Sequence, residues 1–124
     1  MENFKLEGTM TLPSVDFKTD GKLSITGRSI PEHPEKFYSP IDKWMADFLQ
    51  TNPTSVHLLV HLDYLNTHST ECVLLLMKKL EAYSNQGNVA ITWLFDEYDE
   101  DMETLGEDLD SLIRIPFEIK EVKE

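Results

Sequence analysis

Apolar and polar residues alternate at Val15-Asp16-Phe17 and again at Leu23-Ser24-Ile25, on either side of Thr19-Asp20-Gly21. A period of two predicts strands, and the Gly-containing turn between them predicts a hairpin. After Ser29-Ile30-Pro31 the period lengthens. Phe37, Ile41, Trp44, Met45, Phe48 and Leu49 fall on one face at helical spacing, so a helix is predicted that ends near Asn52-Pro53. Val56 to Leu62 is short and apolar, is bounded by Pro53 and by a hydroxyl-rich turn, and reads as a buried central strand. A second helix carries Val73, Leu76, Leu80 and Tyr83, with Gly87 where a helix C-terminus commonly needs a left-handed residue. Val89 to Phe95 is another strand. Met102, Leu105, Leu109, Leu112 and Ile113 share a third helical face despite Gly106, and Ile115, Phe117 and Ile119 alternate as a closing strand.

The order is therefore β-β-α-β-α-β-α-β. Strands joined through helices predict an α/β fold with a mixed, mostly parallel sheet, right-handed crossovers and helices packed on it. No repeat or linker divides the chain, and 124 residues suffice for one core, so residues 1–124 are read as a single domain with an ordered core from about 11 to 122.

Composition changes this picture chiefly by exclusion. With 40% hydrophobic and 27% charged residues the chain fits a folded domain rather than a disordered or fibrous one. The longest apolar run, Cys72 to Met77, is far below the roughly 20 residues a membrane span requires. The N-terminus lacks the phases of a secretory signal, and the single cysteine has no internal disulfide partner, so a cytoplasmic location is expected. A net charge of −12 argues against nucleic acid and anionic membranes as partners, because neutralising phosphates needs clustered Lys and Arg. It favours a partner with a basic surface.

Candidate chemistry concentrates where a parallel strand meets the next helix, since unpaired backbone N–H groups point outward there. The turn Asp63-Tyr64-Leu65-Asn66-Thr67-His68-Ser69-Thr70 occupies that place. Composition alone favours helix capping for these residues. The functional reading is that one hydroxyl accepts a phosphoryl group, whose charge the helix N-terminus stabilises. Thr67 is best placed for it, with Ser69 and Thr70 competing on physics alone.

Other candidates are weaker. His57 and His61 are four residues apart on a strand, about 13 Å, too far to ligate one ion. Asp96-Glu97-Tyr98-Asp99-Glu100-Asp101 lacks the Gly and spaced Glu of a calcium loop and reads as an acidic start to the third helix. Cys72 lies in an apolar helical run and reads as a buried structural thiol. There is no Walker loop, dinucleotide glycine pattern, zincin helix or serine elbow, so no catalytic residue, metal site or cofactor is expected. An enzyme using Asp63, His61 or the 96–101 carboxylates is the alternative from a different class.

Two stretches together resemble the SiaC family of bacterial regulatory phosphoproteins: Gly27-Arg28-Ser29-Ile30-Pro31-Glu32-His33-Pro34 with Phe37-Tyr38, Pro40 and Trp44, and Asp63-Tyr64-Leu65-Asn66-Thr67. The likeness runs from about Thr11 to Val122. It implies a STAS-like domain of partner-switching type, with Thr67 matching the family's phosphoacceptor. It further implies a cognate Ser/Thr protein kinase, a PP2C-type phosphatase that reverses it, and a diguanylate cyclase bound and stimulated by the unmodified form. No enzymatic activity is implied for the chain itself. An anti-sigma factor antagonist is the alternative within the same binding class. Tyr64, Leu65, Asn66, Thr67, His68, Ser69 and Thr70, with Arg28 as a cation beside a strand end, are the expected partner-binding residues. His33 and His68 depart from the family's usual Asn and small hydroxyl residues.

Overall fold

Residues 1–123 are described by the computed structural model. The expected hairpin is β2 (Ser14–Phe17) and β3 (Lys22–Ser29), preceded by a strand absent from the sequence reading, β1 (Phe4–Leu6). Then follow α1 (Pro34–Leu49), β4 (Ser55–Leu65), α2 (Thr67–Tyr83), β5 (Asn88–Asp96), α3 (Glu100–Asp110) and β6 (Phe117–Val122). One sheet holds all six strands in chain order. The pairs β1/β2 and β2/β3 are antiparallel, and β3/β4, β4/β5 and β5/β6 are parallel.

This topology dictates the layering. Each helical connection joins neighbouring parallel strands in the same direction, and right-handed crossovers then place α1, α2 and α3 on one face. Burial follows: Val56, Leu58, Val60 and Leu62 of β4 and Val89, Ile91, Trp93 and Phe95 of β5 are buried. The alternate residues Leu59, His61, Thr92 and Leu94 are only partly covered and His57 is exposed. The Val56–Leu62 segment is thus buried on one face rather than both. On the other face His57 shares a 2.7 Å hydrogen bond with Thr92, and His61 shares one of 2.7 Å with Asp96 Oδ1.

The core sits between sheet and helices. Trp44 stacks on Phe48 with ring centroids 4.9 Å apart, and its indole N–H donates to the Glu2 carbonyl, which ties the N-terminal segment down. Trp93 is fully buried and donates to the Met102 carbonyl. Gly106 lies against that indole: a Cβ there would stand 2.4 Å from Trp93 Cδ1, so the residue that seemed to weaken the third helix is what lets it approach.

Three details depart from the sequence reading. Gly87 does not adopt a left-handed conformation; α2 ends at Tyr83 and is capped by Ser84 in a right-handed one, and a Cβ at Gly87 would meet the Pro53 carbonyl at 2.8 Å. Leu112 lies beyond the end of α3 and is exposed, while Ile113 turns into the core. Cys72 is only partly buried, on the open side of α2.

Candidate functional site

Pairing between β4 and β5 runs as far as His61 and Leu94, but β4 continues beside β3 to Leu65, so the tips of these two strands project together. There the register shifts. Gly27 pairs with Leu62 and Arg28 with Tyr64, leaving Asp63 as an extra residue. Strict alternation from Val56, Leu58, Val60 and Leu62 would send Tyr64 into the core. The bulge turns it out, and Tyr64 is 53% exposed. Gly27, opposite this irregularity, has φ +107°, a conformation that side chains of L-residues rarely take. Arg28 Nε lies 3.6 Å from Asp63 Oδ1 with both side chains half exposed, an ion pair weak enough to exchange partners.

The next residue stops the strand. Asn66 is extended, and its side-chain oxygen accepts from the Ser69 N–H at 2.9 Å, a capping interaction that starts α2. Its backbone N–H donates to the Ser29 carbonyl at 3.1 Å, and its side-chain amide reaches the Pro31 carbonyl at 3.5 Å. Asn66 therefore binds the two sequence stretches into one surface. Pro31, Glu32 and Pro34 from one, with Asn66, Thr67 and His68 from the other, line a shallow open depression.

Within α2's first turn the three hydroxyl residues separate. Thr67, the first residue of the helix, is exposed, as is His68. Ser69 is fully buried, so its place among the expected partner-binding residues is not on the surface. Thr70 is half-buried, and its hydroxyl donates to the Asn66 carbonyl at 3.0 Å. Leu65 and Asn66 are half-buried. No acidic residue stands in this first turn.

Beneath the turn lies a cluster that sequence reading missed. The Tyr38 hydroxyl, from α1, makes a 2.7 Å hydrogen bond with Ser29 Oγ, and the Ser69 hydroxyl faces the same phenol without a well-formed bond. Desolvation pushes the Tyr38 phenol up to about 12, against the weaker lowering effect of Ser29. Tyr38, one residue after Phe37 at the start of the helical stripe, was the only signal for it.

The acidic segment behaves as expected. Asp99 caps α3 by accepting from the Met102 N–H at 3.1 Å, and Glu100, Asp101 and Glu103 occupy its first turn. Among the described residues no group of three or more His, Cys, Asp or Glu side chains is arranged to hold a metal ion. Nor is any helix among them long and apolar enough to cross a membrane.

Comparison with known proteins gives a consistent set of likenesses. The model of the SiaC family of regulatory phosphoproteins matches residues 6–122. The uncharacterized protein PA14_02130 of Pseudomonas aeruginosa (strain UCBPP-PA14) is 28% identical over 123 residues, covering 97% of each chain. Among solved structures, SiaC of Pseudomonas aeruginosa superposes with a TM-score of 0.90 at 25% identity, over 98% of this chain and 100% of that one. The structure of the diguanylate cyclase SiaD in complex with its activator SiaC, from the same organism, contains a match with a TM-score of 0.90 at 25% identity, over 96% and 99% of the two chains.

Proposed function

Because this chain belongs to the SiaC family of regulatory phosphoproteins, we propose that it is a non-catalytic switch whose phosphorylation at Thr67 decides whether a diguanylate cyclase can dock on the turn joining β4 to α2. The observation that carries this is the sorting of hydroxyls in one helical turn. Ser69 is sealed in the core, the Thr70 hydroxyl is bonded back to Asn66, and Thr67 stands exposed. A kinase needs an accessible oxygen, so this difference in exposure supports Thr67 over the two chemically similar candidates.

The unmodified form is the binding form. Tyr64, Thr67 and His68 are exposed, Tyr64 pairs across the sheet with Arg28, and the half-buried Leu65 and Asn66 lie between them in the chain. A solved complex pairs SiaC with SiaD, and calls SiaC its activator; this chain takes the same role toward a diguanylate cyclase. A cognate Ser/Thr kinase adds the phosphoryl group and a PP2C-type phosphatase removes it. The group brings about −1.5 to −2 charges and three acceptor oxygens, which the first turn of α2 can stabilise through its free N–H groups. Arg28 can leave Asp63 to pair with it. Docking would then require stripping water from a dianion, and the partner is expelled.

Calorimetric titration of the cyclase tests this. Thr67→Asp is expected to weaken binding by about tenfold or more, while Thr67→Ala keeps the affinity but blocks phosphorylation. Equal affinity for the Asp variant and the wild type sinks the mechanism. Phosphosite mass spectrometry that found modification at Thr70 alone would move the switch by one helical turn.

A further inference from the structure

The sheet ends in two unlike edges. β1 offers three residues centred on Lys5, so two copies of it pairing antiparallel would set Lys5 against itself. β6 runs for six residues, and among the described residues no strand lies beyond it. Its inner side is in use. The Ile91 N–H donates to the Pro116 carbonyl and the Glu97 N–H to the Val122 carbonyl, at the two ends of an unbroken register with β5. Alternate residues of β6 therefore turn their backbone groups toward β5, and Phe117, Ile119 and Glu121 turn theirs outward, where the sheet offers no further strand. Glu118 and Lys120 stand beside Thr92 and Leu94 on the helix-free face, and both are exposed.

We propose that β6 pairs with β6 of a second copy of this chain, antiparallel and with Ile119 on the two-fold axis, joining two sheets into one. In that register Phe117 faces Glu121 of the second copy and Ile119 faces its own equivalent, and each such pair exchanges both backbone hydrogen bonds. Glu118 then lies directly opposite Lys120 of the second copy, and Lys120 opposite the second copy's Glu118, at the closely spaced positions of an antiparallel ladder. Charges on an edge usually discourage pairing. Here the two signs stand two residues apart, so a two-fold rotation about Ile119 matches each to its opposite. No other register does this: an axis at Glu118, Lys120 or Glu121 sets that residue against its own equivalent, and one at Phe117 overruns the start of the strand.

The association is weak. One pair of edge strands buries less than the roughly 1,200 Å² of a stable complex, and two chains of −12 repel each other. The exposed acids of α3 add to this, since α3 packs against β6 and pairing brings it toward its equivalent. Both repulsions act through solvent and are largely screened beyond about 8 Å at physiological ionic strength, whereas the hydrogen bonds and directly opposed charges act at contact. The antiparallel arrangement points the two β4–α2 turns to opposite ends of the joined sheet, so both Thr67 residues stay uncovered. The pairing is therefore independent of the switch, and a dimer carries two docking turns.

Sedimentation equilibrium of the full chain at physiological ionic strength, from about 10 μM to about 1 mM, tests this. The wild type is expected to pass from monomer to dimer across that range. Lys120→Glu and Glu118→Lys are each expected to weaken the dimer about tenfold or more, and the double charge reversal to restore it to within about threefold. One single reversal makes the chain more negative and the other less, so a general charge effect would move them in opposite directions. Hydrogen exchange of the wild type needs no variant: raising the concentration is expected to protect the N–H groups of Phe117, Ile119 and Glu121. A monomer throughout, a dimer indifferent to the single reversals or not restored by the double one, or protection that spares these amides would each overturn the proposal. None of these results bears on the Thr67 switch, which the cyclase titration tests separately.

Discussion

At the start of α3, the Asp99 carboxylate caps the Met102 N–H, and Glu100, Asp101 and Glu103 fill the first turn. At the start of α2, the cap is the neutral amide of Asn66, and no acid follows in the first turn. Both helices leave parallel strands of the same sheet on the same face, so the same backbone dipole is presented twice. One end is permanently compensated by side chains. The other has no side-chain charge of its own, which is where the proposed switch would add one, on a protein that already carries −12. The packing beneath differs too: Trp93 and Gly106 hold α3 by close apolar contact, while beneath α2 the Tyr38 hydroxyl of α1 bonds to Ser29 Oγ of β3 and the buried Ser69 hydroxyl faces that phenol.

Removing that support should have the largest effect. The unfolded chain releases a tyrosine proton near pH 10, but folded Tyr38 holds its proton until about 12. Between these values the unfolded state binds fewer protons, so stability falls as pH rises, by about 2–3 kcal/mol over the window. Chemical denaturation at a series of alkaline pH values should show this slope in the wild type and lose it in Tyr38→Phe. A slope that persists in the variant would place the titrating group elsewhere.

Breaking the caps should matter next. Asn66→Ala removes the bond to Ser69 and the tie to Pro31, and should cost about 1–2 kcal/mol. Asp99→Ala loses a single capping bond and should cost about 1 kcal/mol or less. Thermal melts of the pair would measure the difference, and a larger loss at Asp99 would reverse the ranking of the two helix starts.

The smallest effect carries the most diagnostic sign. Thr67→Asp should stabilise the isolated protein by about 0.3–1 kcal/mol, because it supplies the missing charge at α2. Asp101→Asn should destabilise by a similar amount at α3. Both shifts in Tm should shrink in high salt. The Asp variant would then be better folded and yet bind the cyclase less well, which separates switching from misfolding.

Much of the fold could be read from periodicity. The alternation around Gly21, the helical stripes of α1 and α2 and the apolar strands β4 and β5 all appear where residues of one polarity recur, because each repeat reports a buried face. The strand β1 did not, since three residues pairing only at a sheet edge leave almost no pattern. Leu112 and Gly87 misled for a related reason. Spacing cannot tell a helix's last turn from the loop beyond it, nor conformational need from close approach.

At the site, residue types and positions were legible and orientations were not. Sequence by itself determined that a hydroxyl-rich turn joins a parallel strand to a helix, and which motifs flank it, because hydrophobic period and turn chemistry are local. Only the tertiary structure decided that Ser69 is buried, that a bulge at Asp63 turns Tyr64 outward opposite Arg28, and that Pro31 shares the surface of Thr67. Those facts depend on register and packing between segments more than thirty residues apart, and no local pattern in the chain encodes them.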